Sequence, residues 1–131
     1  VSRPSELILA VAVGSAAGGV ARYLLTEAIQ VRTGGTFPLG TLLVNIVGCF
    51  ALGFIAQTVL HESEASPRFR ALLATGVCGG FTTFSAFSLE TVRMLEEGDV
   101  LRASSYIGAS VVLGLTALWL GMVAGRLVRP T

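Results

Sequence analysis

The residues of this sequence that have chemistry to offer are polar groups set inside long apolar stretches. Asn45 lies within Phe37-Pro38-Leu39-Gly40-Thr41-Leu42-Leu43-Val44-Asn45-Ile46-Val47-Gly48, with Thr41 four residues before it and Gly48 three after. A helix places this amide, hydroxyl and gap on one face. Two readings stay open: the Asn bonds across a helix interface while glycine allows close backbone approach, or the face lines a polar path, as intramembrane polar groups commonly do.

The segment Gly76-Val77-Cys78-Gly79-Gly80-Phe81-Thr82-Thr83-Phe84-Ser85-Ala86-Phe87-Ser88 interrupts another apolar run with paired glycines and hydroxyls, and a helix is expected to break there. Unwound backbone at membrane depth survives only when buried in protein or lining a cavity, and its carbonyls suit a hard cation such as Na⁺. Phe84 and Phe87 are three apart, so they share a helical face, and the positive edge of an aromatic ring can meet a small anion. The ordinary role of Phe in a membrane helix is lipid contact or packing, and spacing alone favours that role.

Tyr106, Ser110 and Gly114 recur every four residues and put a phenol, a hydroxyl and a gap on one face. Equally, Ser110 bonds back to its own helix and Gly114, Gly121 and Gly125 form a packing stripe. Arg22 either snorkels to the interface or sets a positive potential at a pore mouth, and Glu90 poses the same choice.

As a set these groups are neutral hydrogen-bond donors and aromatic edges, with no carboxylate near a span centre, where a cation channel carries a carboxylate ring. Fluoride is small, hard and strongly hydrated, so its site must replace water with several donors without trapping the ion. No Lys or Arg is expected at mid-membrane. This chemistry permits fluoride without singling it out.

The elements that must position these residues follow from composition. Of 131 residues, 53% are hydrophobic and 13% charged, with a mean hydropathy of +0.77; soluble domains carry about 25% charged residues. Roughly 20 apolar residues cross a hydrocarbon core as a helix, and four such spans are predicted, at about 7–29, 38–60, 69–94 and 103–128. The expected architecture is one all-α transmembrane domain over 1–131, with the third helix broken mid-membrane and no room for a soluble catalytic domain. The first apolar stretch is longer than a signal-peptide core and three like it follow, so it is expected to be a span. Cys49 and Cys78 show no metal-ligand spacing and are expected to be small packing residues. His61 falls in a connection, no nucleophile and base pair is visible, and an enzyme is not expected. With a net charge of +1 and no basic cluster, neither is a nucleic-acid partner.

All nine cationic side chains are arginine. Four spans put Arg3, Arg68, Arg70, Arg126 and Arg129 on one side, and Arg32, Arg93 and Arg102 on the other, joined by Arg22 if it lies near the helix end. So small a bias lets one sequence insert both ways, and two opposed copies can pair about a two-fold axis in the membrane plane. An antiparallel, dual-topology homodimer is the expected assembly.

These motifs closely resemble the small bacterial fluoride channel family, also called the camphor-resistance protein family. The likeness rests on the glycine-flanked Thr-Thr-Phe-Ser segment (Gly79 to Ser85, then Phe87), and on Gly40-Thr41 followed by Asn45 and Gly48. Gly18-Gly19-Val20-Ala21-Arg22-Tyr23 and Tyr106 to Ser110 extend it across all four spans. The resemblance implies an inner-membrane dimer with two pores, each built from both protomers, that exports cytosolic fluoride passively. It makes Phe84 and Phe87 the pore phenylalanines and Asn45 and Ser110 donors on the same path, with Tyr106, Thr41 and Thr83 nearby. It also implies a structural Na⁺ on the two-fold axis, held by the backbone carbonyls of Gly79 and Thr82 from both protomers. Family members often carry a second hydroxyl where this sequence has Gly114, so the polar track here is expected to be shorter or to use water.

Two alternatives differ in kind. A proton-coupled small multidrug exporter needs an ionisable carboxylate deep in the membrane, and Glu6 and Glu27 lie too near the span ends. A non-conducting assembly subunit would use the glycines, phenylalanines and Asn45 for packing alone, which a broken third helix argues against.

Overall fold

The computed structural model describes residues 1–129 and is all-helical among them. Four helices are long and apolar enough to cross a membrane: Pro4–Thr33, Leu39–Leu60, Pro67–Glu96 and Val100–Val128. At most ends they run a few residues beyond the apolar stretches, because local capping signals set where each helix stops. Pro4 opens the first helix, and the Arg3 backbone N–H donates to the Glu6 carboxylate at 3.2 Å. Gly34, at a φ of 61°, closes that helix by donating its N–H to the Gln30 carbonyl. Ser66 starts the third span by accepting the Phe69 N–H at 3.2 Å, and Asp99 starts the last helix by accepting the Arg102 N–H at 3.1 Å.

The third span is assembled from shorter pieces. Pro67–Arg70 leads into wide turns over Ala71–Cys78, followed by a helical turn at Gly79–Phe81. Thr82 (φ −85°, ψ 156°) and Thr83 (φ −149°, ψ 110°) are extended, and a second helical arm runs over Phe84–Glu96. The second helix widens in the same way over Ala56–Leu60.

Glycine decides which helices touch. A Cβ on Gly14 would lie 2.9 Å from the Gly76 Cα, and one on Gly80 would lie 2.9 Å from the Ser15 Cα, so the first helix meets the third span backbone to backbone. The second and last helices meet at Gly53, Gly121 and Gly125, where added Cβ atoms would strike Leu118, Phe50 and Gln57. In lipid, where apolar burial gives helices no reason to associate, such close approach supplies the van der Waals contact that holds them together. The buried cluster Leu42, Met94, Ala103 and Tyr106 ties the second helix, the Phe84–Glu96 arm and the last helix at one end. Long apolar side chains such as Leu9, Leu115 and Trp119 face outward, as a hydrocarbon surrounding requires.

Candidate functional site

The extended residues are held by a side chain from another helix. Thr83 donates its N–H to Asn45 Oδ1 at 2.7 Å, and Asn45 Nδ2 donates to the Thr83 carbonyl at 3.1 Å. The Asn45 amide thus replaces a peptide partner on both sides of Thr83, keeping one Nδ2 hydrogen and one Oδ1 lone pair free. Thr83 Oγ1 accepts the Ala86 N–H at 3.1 Å, capping the Phe84–Glu96 arm, and lies 3.2 Å from Ser85 Oγ. In an unbroken helix the N–H groups of Thr83 and Ala86 would bond the carbonyls of Gly79 and Thr82. Here both are directed elsewhere.

Four aromatic rings follow in a row from this point. Phe84 and Phe87 have centroids 5.5 Å apart, Phe87 and Tyr106 5.2 Å, and Tyr106 and Phe37 5.5 Å with planes at 80°. The Arg102 guanidinium sits 5.8 Å from the Phe37 centroid. Tyr106 is fully buried, whereas Phe84 is 79% exposed. A cavity of about 340 Å³ opens beside the row, walled by Asn45, Gly79, Thr82, Thr83, Phe84, Phe87 and Ser110. Ser110 Oγ is buried and has no hydrogen-bond partner, not even the carbonyl one turn back in its own helix.

The remaining polar residues gather on the other side of Thr83. Glu90 accepts from Thr41 Oγ1 at 2.7 Å and from Tyr106 OH at 2.6 Å, one hydroxyl on each carboxylate oxygen. A second cavity of about 300 Å³ is walled by Arg22, Thr26, Thr41, Thr83 and Glu90 among others. Thr83 therefore borders both chambers, and Glu90 also lines a third, of about 220 Å³, with Arg93 and Arg102 at the helix ends.

The residues singled out in the sequence thus fall into two groups. Asn45, Gly79, Thr82, Phe84, Phe87 and Ser110 face the first chamber; Arg22, Thr41 and Glu90 face the second; Thr83 touches both. Tyr106 joins the groups by stacking on Phe87 and bonding Glu90. Sequence reading missed the convergence on Glu90, since Thr41 is 49 residues away and no helical period reports that contact. It also assigned no role to Phe37, the last ring of the row, whose only local signal is the Pro38 that follows it. Among the described residues no three His, Cys, Asp or Glu side chains converge as a metal site.

Four helices long and apolar enough to cross a bilayer, with a few polar side chains set between them, define a multi-spanning membrane protein. Residues 9–122 match the family model described as CrcB-like protein, Camphor Resistance (CrcB), and the chain belongs to that family. It is 46% identical over 119 residues to the Fluoride-specific ion channel FluC of Rhizobium meliloti (strain 1021), covering 91% of this chain and 95% of that one. The protein of the same name from Geobacter sulfurreducens is also 46% identical over 119 residues, covering 91% and 96%. That from Aquifex aeolicus (strain VF5) is 41% identical over 120 residues, covering 92% and 97%.

Proposed function

We propose that the chain is a fluoride-selective channel of the bacterial inner membrane that lets cytosolic fluoride leave down its electrochemical gradient. The observation that carries this reading is the unpartnered, buried Ser110 hydroxyl in a chamber edged by Phe84 and Phe87. A polar group left unbonded in an apolar surrounding costs about 1–3 kcal/mol unless something transient fills the place. Fluoride crossing the chamber would take the Ser110 O–H, the free Nδ2 hydrogen of Asn45 and the ring edges as substitutes for water. None of these carries a full positive charge, so the ion is stabilised without being trapped. Thr83 borders the next chamber, where Thr41 and Glu90 continue the polar lining, Tyr106 holds Glu90 by its hydroxyl, and Arg22 offers a positive potential.

The finer reading is an antiparallel homodimer with a third helix broken at mid-membrane. Its support is the exposure of Ser85 and of the Gly79 backbone on one chain, beside Phe84, within a span where polar groups call for protein or water rather than lipid. A second, inverted copy would cover them and complete each pore, in keeping with the balanced arginine count. The carbonyls of Gly79 and Thr82, whose usual N–H partners bond elsewhere, fit the donor set of a hard monovalent cation and would hold Na⁺. When bound, Na⁺ supplies a fixed positive charge at the two extended residues; fluoride is handled by Asn45, Phe84, Phe87 and Ser110.

The test is flux. Purified protein in liposomes loaded with potassium fluoride should release fluoride rapidly to an electrode once valinomycin removes the charge build-up, and chloride-loaded liposomes should release little. No release from folded protein, or equal chloride release, would overturn the reading.

A further inference from the structure

The first helix and the third span start on the same side of the membrane and come into backbone contact at Gly14, where a Cβ would lie 2.9 Å from the Gly76 Cα. Between that contact and their starts they part, leaving a cleft of about 460 Å³. Its walls are apolar, with Leu9 and Val13 from the first helix and Phe69 and Leu72 from the third span; Leu9, Val13 and Phe69 are exposed, so the cleft opens sideways to the surroundings of the helices. Its rim, where both elements begin, carries Glu6, Ser66 and Arg68. These three do not use up one another's bonding capacity. Arg68 Nη1 and Glu6 Oε2 lie 3.7 Å apart, beyond hydrogen-bond distance, with side chains 59% and 39% exposed, and such an ion pair adds little stability. Oε2 also accepts the Arg3 N–H, so among the described residues Glu6 Oε1 has no partner, while Ser66 Oγ accepts the Phe69 N–H and keeps its own hydrogen to donate.

We propose that this cleft binds one membrane phospholipid with a primary-amine headgroup, of the phosphatidylethanolamine class. The lipid phosphate meets Arg68 and Ser66, its ammonium meets Glu6, and one acyl chain lies along Leu9, Val13, Phe69 and Leu72. The rim offers one positive and one negative side chain, the complement of a zwitterion. A guanidinium takes phosphate oxygens through paired N–H donors. A carboxylate accepts N–H bonds from a primary ammonium, whereas a choline headgroup carries methyls in place of those hydrogens. A headgroup with a phosphate and no ammonium leaves Glu6 facing a like charge. The depth suits a chain: Glu6 to Val13 rises about 10 Å along the helix, most of the roughly 15 Å of hydrocarbon in one leaflet. Lipid fills any apolar cleft open to the bilayer, and the charged rim decides which lipid stays. The proposal requires that the helices span a membrane and is independent of the fluoride reading.

The experiment is native mass spectrometry of the purified full-length protein in detergent, titrated with dioleoyl phosphatidylethanolamine, its N-methyl and N,N-dimethyl derivatives, dioleoyl phosphatidylcholine and dioleoyl phosphatidylglycerol. The expected result is one retained phosphatidylethanolamine per chain, with affinity falling at each added methyl and several-fold lower for the choline and glycerol lipids. This ranking needs no variant and so does not depend on one folding. Glu6→Gln keeps an oxygen for the Arg3 N–H and should abolish the preference for the amine over the choline headgroup. Arg68→Gln should weaken every phospholipid several-fold. Leu9→Trp fills the cleft below an intact rim and should remove the retained lipid. Equal retention of all five lipids, which is annular contact only, would overturn the proposal, as would tightest binding of phosphatidylglycerol or a Glu6→Gln variant that ranks the headgroups as the parent does.

Discussion

The Asn45 side chain and the Thr83 backbone are joined by two hydrogen bonds, 2.7 and 3.1 Å long, that do for Thr83 what a neighbouring peptide would do in a sheet. The second helix thereby fixes where the two arms of the third span part. Asn45→Ala leaves an N–H and a C=O unpaired in an apolar surrounding, each worth about 1–3 kcal/mol. The variant should unfold at lower temperature in detergent by several degrees and should lose fluoride flux. An unchanged melting temperature would show that Thr83 finds other partners and that Asn45 does not position it.

Ser110 presents the reverse case, because its hydroxyl satisfies nothing in the chain. Ser110→Ala removes an unbonded buried polar atom, so stability should be unchanged or raised by about 1 kcal/mol. Flux should nevertheless fall several-fold, since a hydrogen bond to a charged partner is worth about 1.5–3 kcal/mol and 1.4 kcal/mol is tenfold. Thermal unfolding and liposome efflux on the same preparation separate the two effects. Loss of both together would mark Ser110 as a packing residue.

Much of this arrangement is legible in the residues. Apolar length locates the four spans, and helical spacing puts Thr41, Asn45 and Gly48 on one face and Tyr106 and Ser110 on another. What spacing cannot report is the use each group makes of its bonding capacity. Asn45 stands out as a polar residue in an apolar run, but that it bonds the Thr83 backbone depends on Gly48 letting the Thr82 side chain approach. Glu90 looks like a residue near a helix end, yet it collects hydroxyls from Thr41 and Tyr106, on two other helices. Contacts between helices come from tertiary packing, on which a helical period is silent.

Phe84 offers a test of function with little effect on the fold of the single chain, where its ring is 79% exposed and packs beside Phe87. Phe84→Ile keeps the side chain apolar and removes the ring edge. An aromatic contact is worth about 0.5–1.5 kcal/mol beyond its area, so fluoride efflux should drop by about 2- to 10-fold or more while expression and elution profile persist. Undiminished efflux from well-folded Phe84→Ile protein would remove this ring from the path.

Two glycines should respond oppositely to the same added methyl. At Gly121 a Cβ would strike the Phe50 carbonyl oxygen and lie 3.0 Å from the Phe54 nitrogen, so Gly121→Ala forces the second and last helices apart. Overpacking of this kind costs about 1–3 kcal/mol. At Gly19 nothing lies within 4 Å, and Gly19→Ala should be neutral or stabilising by about 0.5–1 kcal/mol through helix propensity. Denaturation in mixed micelles orders the two variants. A tolerated Gly121→Ala would mean that backbone contact is not what joins these helices.

Gly114 stands one turn after Ser110 on the wall of the same chamber, and a Cβ there would meet only Cys49 Sγ, at an ordinary contact of 3.7 Å. A serine therefore fits without moving either helix. Gly114→Ser extends the row of hydroxyls by one donor and should leave the stability within about 0.5 kcal/mol of the parent's. If neutral donors along this face set the barrier, fluoride efflux should be equal to or faster than in the parent, and Ser110→Ala should cost less flux when combined with Gly114→Ser than alone. Two changes that add independently would show that the hydroxyls do not serve one ion path, since sites acting on the same ion must couple.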